Sequence, residues 1–295
     1  MKKLLLLLWV FLLSTSCRTG TEPGDKPVIS VSILPQQYFI EQLAGDLVEV
    51  NVMIPPGASP ATYEPTVLQL GKLDRSSVYM RIGHIGFEQS WMNKIHSVNP
   101  ELKIVDLSVG VEIIQEKDEE DAGEAGASHG HMHHGPDPHI WMSARNAGII
   151  ARNIHQELIL LFPGEKESLQ ASYENFQLYL DSLHRTIMDE LRDLENRKFM
   201  IYHPALTYFA RDYGLEQFPL EIEGKAPSPA HLKEMTDLAR ANNISKILIQ
   251  SQFDRKNAEI LARETNSVLI PFDPLDLEWG KQMRYIANQL NSSQQ

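Results

Sequence analysis

Apolar positions recur along the chain with two different periods, and segments of the two kinds alternate. The run "VISVSI" (28–33) and the alternating "LVEVNVMI" (47–54) predict strands, with a helix over "QQYFIEQLAG" between them. A helix around residues 66–75 precedes two further strand-like runs, "VYMRI" and "KIVDL". Strands that alternate with helices predict a parallel sheet covered by helices.

A second run of the same kind fills the last third of the chain. It predicts strands over "FMIY", "KILIQ" and "VLIPF" and helices over 206–214, 228–243, 255–266 and 279–290. Between the two runs, after an amphipathic segment at 143–162, apolar residues recur every three or four positions from Leu169 to Leu194. Neither Gly nor Pro interrupts them, which predicts one helix of roughly thirty residues, about 45 Å long. The fold class is therefore α/β: two lobes with parallel sheets flanked by helices, joined by one long rigid helix.

The N-terminus is typical of a secretory signal peptide. Two lysines precede an apolar run at 4–13 that is too short to span a membrane, and small residues then lead to Cys17, which is the only cysteine. The cysteine resembles that of a bacterial lipobox, where it is lipidated and becomes the mature N-terminus. Such boxes usually have an aliphatic residue three positions earlier, where this chain has Ser14, so an ordinary signal peptide stays the alternative. Lipidation would anchor the protein to a membrane without spanning it.

These patterns divide the chain into five segments. They are a signal peptide (1–16), Cys17 with a flexible tether (17–27), an N-terminal α/β lobe (28–164), a linking helix (165–197) and a C-terminal α/β lobe (198–295). Residues 115–136 of the first lobe are acidic and rich in Gly, Ala and His, with little to bury, and we expect them to form a disordered loop. A formal net charge of -12 argues against nucleic acid as a partner.

Candidate metal ligands stand at the ends of predicted elements. His84 follows "VYMRI", His203 follows "FMIY", Asp273 follows "VLIPF", and His139 precedes a helix. Because ligands of parallel sheets bind beyond the carboxyl ends of the strands, an inter-lobe cleft would collect these four side chains. Three imidazoles and a carboxylate favour tetrahedral zinc.

Five histidines fall between residues 129 and 139, and we expect only the last of them to belong to the buried site. His129, His131, His133 and His134 lie in the expected loop, where ordering the chain costs about 1 kcal/mol per residue. They are therefore predicted to form a weaker, secondary metal site that scavenges or senses zinc, or else to be a tolerated insertion. Glu221, in another polar loop, is expected to be solvated.

The ordered motifs "GASPATYEPT", "DPHIWMS", "YHPALTYFARDYGL", "PSPAHLKEM" and "FDPL" resemble those of the solute-binding proteins of bacterial zinc and manganese ABC importers. The resemblance covers nearly the whole mature chain, and an acidic, His-rich loop before "DPH" is typical of the zinc-type members. It implies one metal between two lobes, with His139 and His203 as imidazole ligands and Asp273 as the carboxylate. Manganese-type members tend to have a glutamate in place of His203, so Zn(II) is preferred.

One ligand of the family's pattern is missing. The family's first histidine falls at Ala61, and Ser59 stands in place of an aspartate. His84, in the neighbouring loop, is the favoured replacement. A loop histidine or a water could complete the site instead, or the site could have lost high affinity.

The resemblance implies a lipid-anchored, extracytoplasmic zinc-binding protein that delivers Zn(II) to an ABC permease and its ATPase in the inner membrane. We expect a monomer that is not an enzyme and that meets the membrane only through its lipid. A manganese- or iron-binding homologue, or a metal-storage or adhesin lipoprotein, is the alternative. A zinc hydrolase is the less favoured one, because the chain contains no HExxH motif.

Overall fold

The computed structural model describes residues 26–115, 135–222 and 224–292 of the chain. The expected signal peptide, Cys17 and the four loop histidines (His129, His131, His133 and His134) lie outside these ranges. Within them, no helix combines the length and the apolar character needed to cross a bilayer.

Two four-stranded parallel sheets form the framework. In the first, β1 (Val28–Val31), β2 (Glu49–Val52), β3 (Ser76–Arg81) and β4 (Lys103–Asp106) stand in the order β2-β1-β3-β4. Their connections contain α1 (Leu34–Ala44), α2 (Val67–Asp74) and α3 (Gly86–Val98). Strand β1 is buried along its whole length, as expected for a central parallel strand with helices on both faces.

The second sheet repeats this plan. Strands β5 (Lys198–Ile201), β6 (Glu216–Pro219), β7 (Lys246–Gln250) and β8 (Val268–Phe272) stand in the order β6-β5-β7-β8. Helices α6 (Thr207–Tyr213), α7 (Pro229–Ala241), α8 (Lys256–Thr265) and α9 (Trp279–Asn291) accompany it. The α/β fold with two parallel sheets is therefore confirmed.

Two long helices connect the sheets: α4 (Ala144–Leu161) and α5 (Lys166–Glu190). Helix α5 packs against α1 and α4, which precede it in the chain, and against α9, which follows the last strand of the second sheet. At 25 residues it is about 37 Å long, shorter than the thirty residues that the apolar spacing predicts. The spacing continues to Leu194, but the Arg197 guanidinium binds the carbonyls of Leu191 and Arg192, which an ongoing helix would use itself.

Local signals set most element boundaries. Thr66 and Ser143 accept backbone N–H bonds at the starts of α2 and α4, and Gly214 ends α6 in the left-handed conformation. Two elements are absent from the sequence-based prediction. The first is α3, whose apolar face includes the buried Glu88, and this charged residue interrupts the apolar periodicity that would predict a helix. The second is β6, a short edge strand that ends in a proline.

The strand order creates one switch point in each sheet, between β1 and β3 and between β5 and β7. Connections leave such a point in opposite directions and open a crevice at the carboxyl ends of the strands. His84 follows β3 and His203 follows β5, so each lies at the switch point of its own sheet.

Candidate metal centre

Two histidines that are far apart in sequence meet in this region. The Nε2 atoms of His139 and His203 lie 3.2 Å apart, and the two rings cross nearly edge to face with centroids 5.0 Å apart. The His139 side chain is only 12% exposed and that of His203 is 33% exposed. The pair is thus sheltered but reachable from solvent.

Asp137 fixes the orientation of the first imidazole. Its Oδ1 accepts the backbone N–H of His139 at 2.8 Å and lies 3.0 Å from Nδ1 of the same residue. Burial alone would raise the pKa of the Asp137 carboxyl, but its contacts with His139 outweigh burial and hold the pKa below the ordinary value. Asp137 therefore stays ionised and accepts a hydrogen bond from Nδ1–H of His139. With its proton on Nδ1, His139 has a free lone pair on Nε2.

Glu221 has the same role for the second imidazole. Its Oε1 lies 2.5 Å from Nδ1 of His203, and its side chain is only 6% exposed. The expectation that Glu221 is solvated is wrong: it follows β6, the edge neighbour of β5, which brings it over the residue that follows β5. The polar sequence around it gives no sign of this contact, because the contact depends on strand order.

The spacing of the two Nε2 atoms fits a shared cation. When both Nδ1 protons are donated to carboxylates, two lone pairs face each other at 3.2 Å, and a neutral pair has no proton to place between them. Tetrahedral zinc with Zn–N bonds of 2.0–2.1 Å would hold its two nitrogens about 3.3 Å apart. Histidines that bind zinc also usually donate their other ring N–H to a partner such as a carboxylate, as both of these imidazoles do.

Asp273 occupies a turn directly after β8. Its Oδ1 accepts the backbone N–H of Leu275 at 2.9 Å and the Nε2 amide of Gln252 at 3.2 Å. These bonds leave Oδ2 available for another partner. Residues of the described ranges include no set of three or more His, Cys, Asp and Glu side chains arranged to hold one ion, so the structure joins His139 to His203 but does not place Asp273 or His84 with them.

His84 lies in a tight turn of the first lobe. Gly83 and His84 both have positive φ, 90° and 62°, and the latter is uncommon for a residue with a side chain. The buried carboxylate of Glu88 accepts the backbone N–H groups of Ile82 and Gly83, each at 2.7 Å, and so fixes the start of this turn.

The turn also touches the segment in which the family's first histidine is missing. A methyl group on Gly86 would lie 3.6 Å from Cα of Ala61 and 3.7 Å from the Pro60 carbonyl oxygen, so the two loops are in contact. His84 is therefore a neighbour of the position of the missing ligand.

Two parallel-sheet lobes linked by a long helix, with an imidazole pair between sequence-distant loops, define a protein of the two-lobed solute-binding class. The chain belongs to the family of periplasmic zinc-uptake complex component A proteins (ZnuA), whose profile matches residues 29–294. The resemblance noted in the sequence is thus confirmed.

Related proteins and structures agree with this assignment. The zinc-binding lipoprotein AdcA of Streptococcus pneumoniae is 26% identical over 288 residues, which are 94% of this chain and 56% of AdcA, so the chain spans little more than half of that relative. The high-affinity zinc uptake system protein ZnuA of Bacillus subtilis is 24% identical over 86% of this chain and 82% of its own length. A crystal structure of a ZnuA deletion mutant with zinc bound superposes with a TM-score of 0.82 at 35% identity and covers 92% of this chain and all of that one.

Proposed function

We propose that this protein is the extracytoplasmic zinc-binding component of an ABC importer, which captures Zn(II) and delivers it to a membrane permease. The observation that carries this proposal is the pair of facing Nε2 atoms, 3.2 Å apart, each on a ring whose other nitrogen meets a buried carboxylate. Membership of the zinc-uptake family and the zinc-bound neighbour structure support it.

The proposed ligands are His139, His203 and Asp273, with His84 as the fourth. His139 and His203 form the preorganised half of the site. Oδ2 of Asp273 accepts no hydrogen bond from Gln252 or Leu275, whose bonds go to Oδ1, so Oδ2 is the oxygen that we assign to the ion. His84 comes from the other lobe, from a turn with strained backbone geometry that contacts the Ala61 segment.

Zinc is favoured over manganese by the chemistry of this set. Imidazole nitrogens suit zinc, whereas manganese prefers carboxylate, carbonyl and water oxygens. Two or three imidazoles and one carboxylate therefore favour zinc over manganese. A manganese-bound mutant of a periplasmic metal-binding protein from Candidatus Liberibacter asiaticus has a similar structure, with a TM-score of 0.74, but at 22% identity it shares the fold only.

Capture follows from the acid–base state of the ligands. Zinc and protons compete for the same imidazole lone pairs, so affinity falls as pH falls. Asp137 and Glu221 accept the Nδ1 protons and orient the two rings so that Nε2 faces the ion. Helix α5 packs against both halves of the molecule, so release depends on docking to a permease that offers a competing site or displaces one ligand.

The cellular setting belongs to the same proposal. A lipid on Cys17 would anchor the protein as a monomer to a bacterial membrane, on its periplasmic or cell-surface side, where its partners would be the permease and the ATPase that drives it. His129, His131, His133 and His134 would add a weaker, faster-exchanging zinc site. AdcA carries the word lipoprotein in its name, which supports the anchor.

Zinc titration of the full chain tests the proposal. His139→Ala and His203→Ala should each abolish the tight site in competition with a zinc chelator. His96→Ala is the matched control, because His96 is an exposed histidine of α3 and should leave the affinity unchanged. Unchanged tight binding in both ligand variants would refute the assignment.

A further inference from the structure

We propose that Trp141 and Trp279 are positioning residues of the zinc site, which lock the segment of His139 to the turn of Asp273 across the boundary between the lobes. The inference rests on the proposed function and adds to it the device that keeps two ligand-bearing segments together when no ion is bound. Two reciprocal hydrogen bonds, which we call the indole clasp, carry it.

The clasp joins segments more than 130 residues apart in the chain. The indole N–H of Trp141 donates to the carbonyl oxygen of Pro274 at 2.8 Å. The indole N–H of Trp279 donates in turn to the carbonyl oxygen of Trp141 at 2.9 Å. Both side chains are 1% exposed, so water does not compete for either bond. A buried N–H that loses its acceptor finds no water molecule to accept its hydrogen bond instead, so breaking either bond costs free energy.

Both ends of the clasp are next to proposed ligands. Pro274 directly follows Asp273, and the Trp141 ring lies 5.3 Å from the ring of His139, two residues earlier. Fixing the Pro274 carbonyl against Trp141 therefore fixes the backbone of Asp273 relative to His139. Any adjustment of Asp273 toward the ion is then confined to its side chain.

Other bonds tie the His139 segment to the second lobe as well. The Tyr208 hydroxyl of α6 donates to the Asp137 carbonyl oxygen at 2.9 Å, and Ser143 donates to Asp212. Burial raises the pKa of Tyr208 to about 12, so its hydroxyl stays a donor at physiological pH. Residues 137–143 precede both linking helices in the chain. These bonds nevertheless attach residues 137–143 to the second lobe, which contains His203 and Asp273.

This arrangement divides the site into a fixed part and a movable part. The clasp holds His139 and the Asp273 turn together, and with His203, which meets His139, they form one platform. His84 and the Ala61 segment belong to the first lobe, and the clasp does not include them. Zinc capture and release should therefore move the His84 turn and the Ala61 segment of the first lobe. The contact between the His139 segment and the Asp273 turn should stay intact.

The test compares Trp141→Phe and Trp279→Phe with Trp91→Phe in the full chain. Each change removes one indole N–H, but Trp91 lies on α3, stacked on Phe87 and away from the clasp. Losing one net hydrogen bond lowers the population of the preformed platform, so zinc affinity should fall about three- to tenfold in the clasp variants. Trp91→Phe should stay within about twofold of the parent chain.

Two further readouts separate positioning from mere stability. Cobalt(II) bound in place of zinc should show an altered visible absorption in the clasp variants, because the coordination geometry changes, and unaltered absorption with Trp91→Phe. Hydrogen exchange of the indole protons in the metal-free parent should be slow for Trp141 and Trp279 and faster for Trp91. This second measurement needs no variant of the clasp to fold.

Unchanged zinc affinity and cobalt spectra in folded clasp variants would overturn the proposal, as would fast exchange of both clasp protons without metal. Failure of the proposed function looks different. In that case the parent chain would bind no zinc through His139 and His203, while indole exchange would still show whether the clasp holds.

Discussion

The carboxylate behind His203 offers the sharpest test of how this site binds its ion. Glu221→Gln keeps the size of the side chain and removes its charge. Glu221 is buried and lies 2.5 Å from Nδ1 of His203, so the change alters one strong contact and little else. An amide can also turn its NH2 group toward Nδ1, which would leave the proton on Nε2, the nitrogen that should face zinc.

The magnitude follows from that contact. A hydrogen bond to a charged group contributes about 1.5–3 kcal/mol, and losing it weakens the zinc complex because the bound imidazole relies on the carboxylate. This equals a loss of about 10- to 100-fold in affinity. Carboxylates behind metal-bound histidines have effects of the same size in other proteins, about 10- to 100-fold.

The assay is competition with a zinc chelator of known affinity at pH 7.5. Glu234→Gln is the control, because Glu234 is an exposed residue of α7 that lies 3.4 Å from Nδ1 of His231. It should leave zinc affinity unchanged. If Glu221→Gln binds zinc within about twofold of the parent chain, the carboxylate does not support His203 and the ligand role of that imidazole is in doubt.

Three further expectations concern the rest of the site and the first lobe. His84→Ala should weaken zinc binding by orders of magnitude in calorimetry, whereas a mild effect would point to water as the fourth ligand. Replacing residues 116–134 with Gly-Gly, which the antiparallel bridge between Gln115 and Pro136 allows, should keep one tight site and remove weaker ones; loss of the tight site would mean that the segment supplies a ligand. Burial raises the pKa of Glu88 from 4.5 to about 7, so its contribution to stability is complete below pH 4.5 and is lost as pH rises through 7. Urea unfolding should show this loss, about 3 kcal/mol, in the parent chain but not in Glu88→Gln, and equal pH dependence in both would contradict it.

Local features of the sequence predict much of the fold. Strands β7 and β8 have the bounds that their apolar runs predict, and α4 begins at the cap supplied by Ser143. Helix α5 shows where such reasoning stops. Its apolar spacing continues to Leu194, yet the helix ends at Glu190, and the Arg197 guanidinium binds the carbonyls of Leu191 and Arg192 just beyond that end, a contact that apolar spacing does not reveal.

The sequence also nominates the imidazoles of the site, because His139 and His203 stand in recognisable motifs at element ends. It cannot show that Asp137 and Glu221 hold their Nδ1 atoms. Asp137 is two residues from its partner and its motif "DPH" could have suggested the contact, but Glu221 is 18 residues away and meets His203 only through strand pairing.

What the sequence alone determines is which segments become strands and helices and which side chains can bind a metal, because apolar periodicity and side-chain chemistry are properties of neighbouring residues. What only the tertiary structure decides is which of those side chains meet. The parallel order of the strands brings β5 beside β6, and two indole bonds join Trp141 to Pro274 and to Trp279. Both depend on packing between residues that no local pattern connects, and the proposed metal centre is made from such contacts.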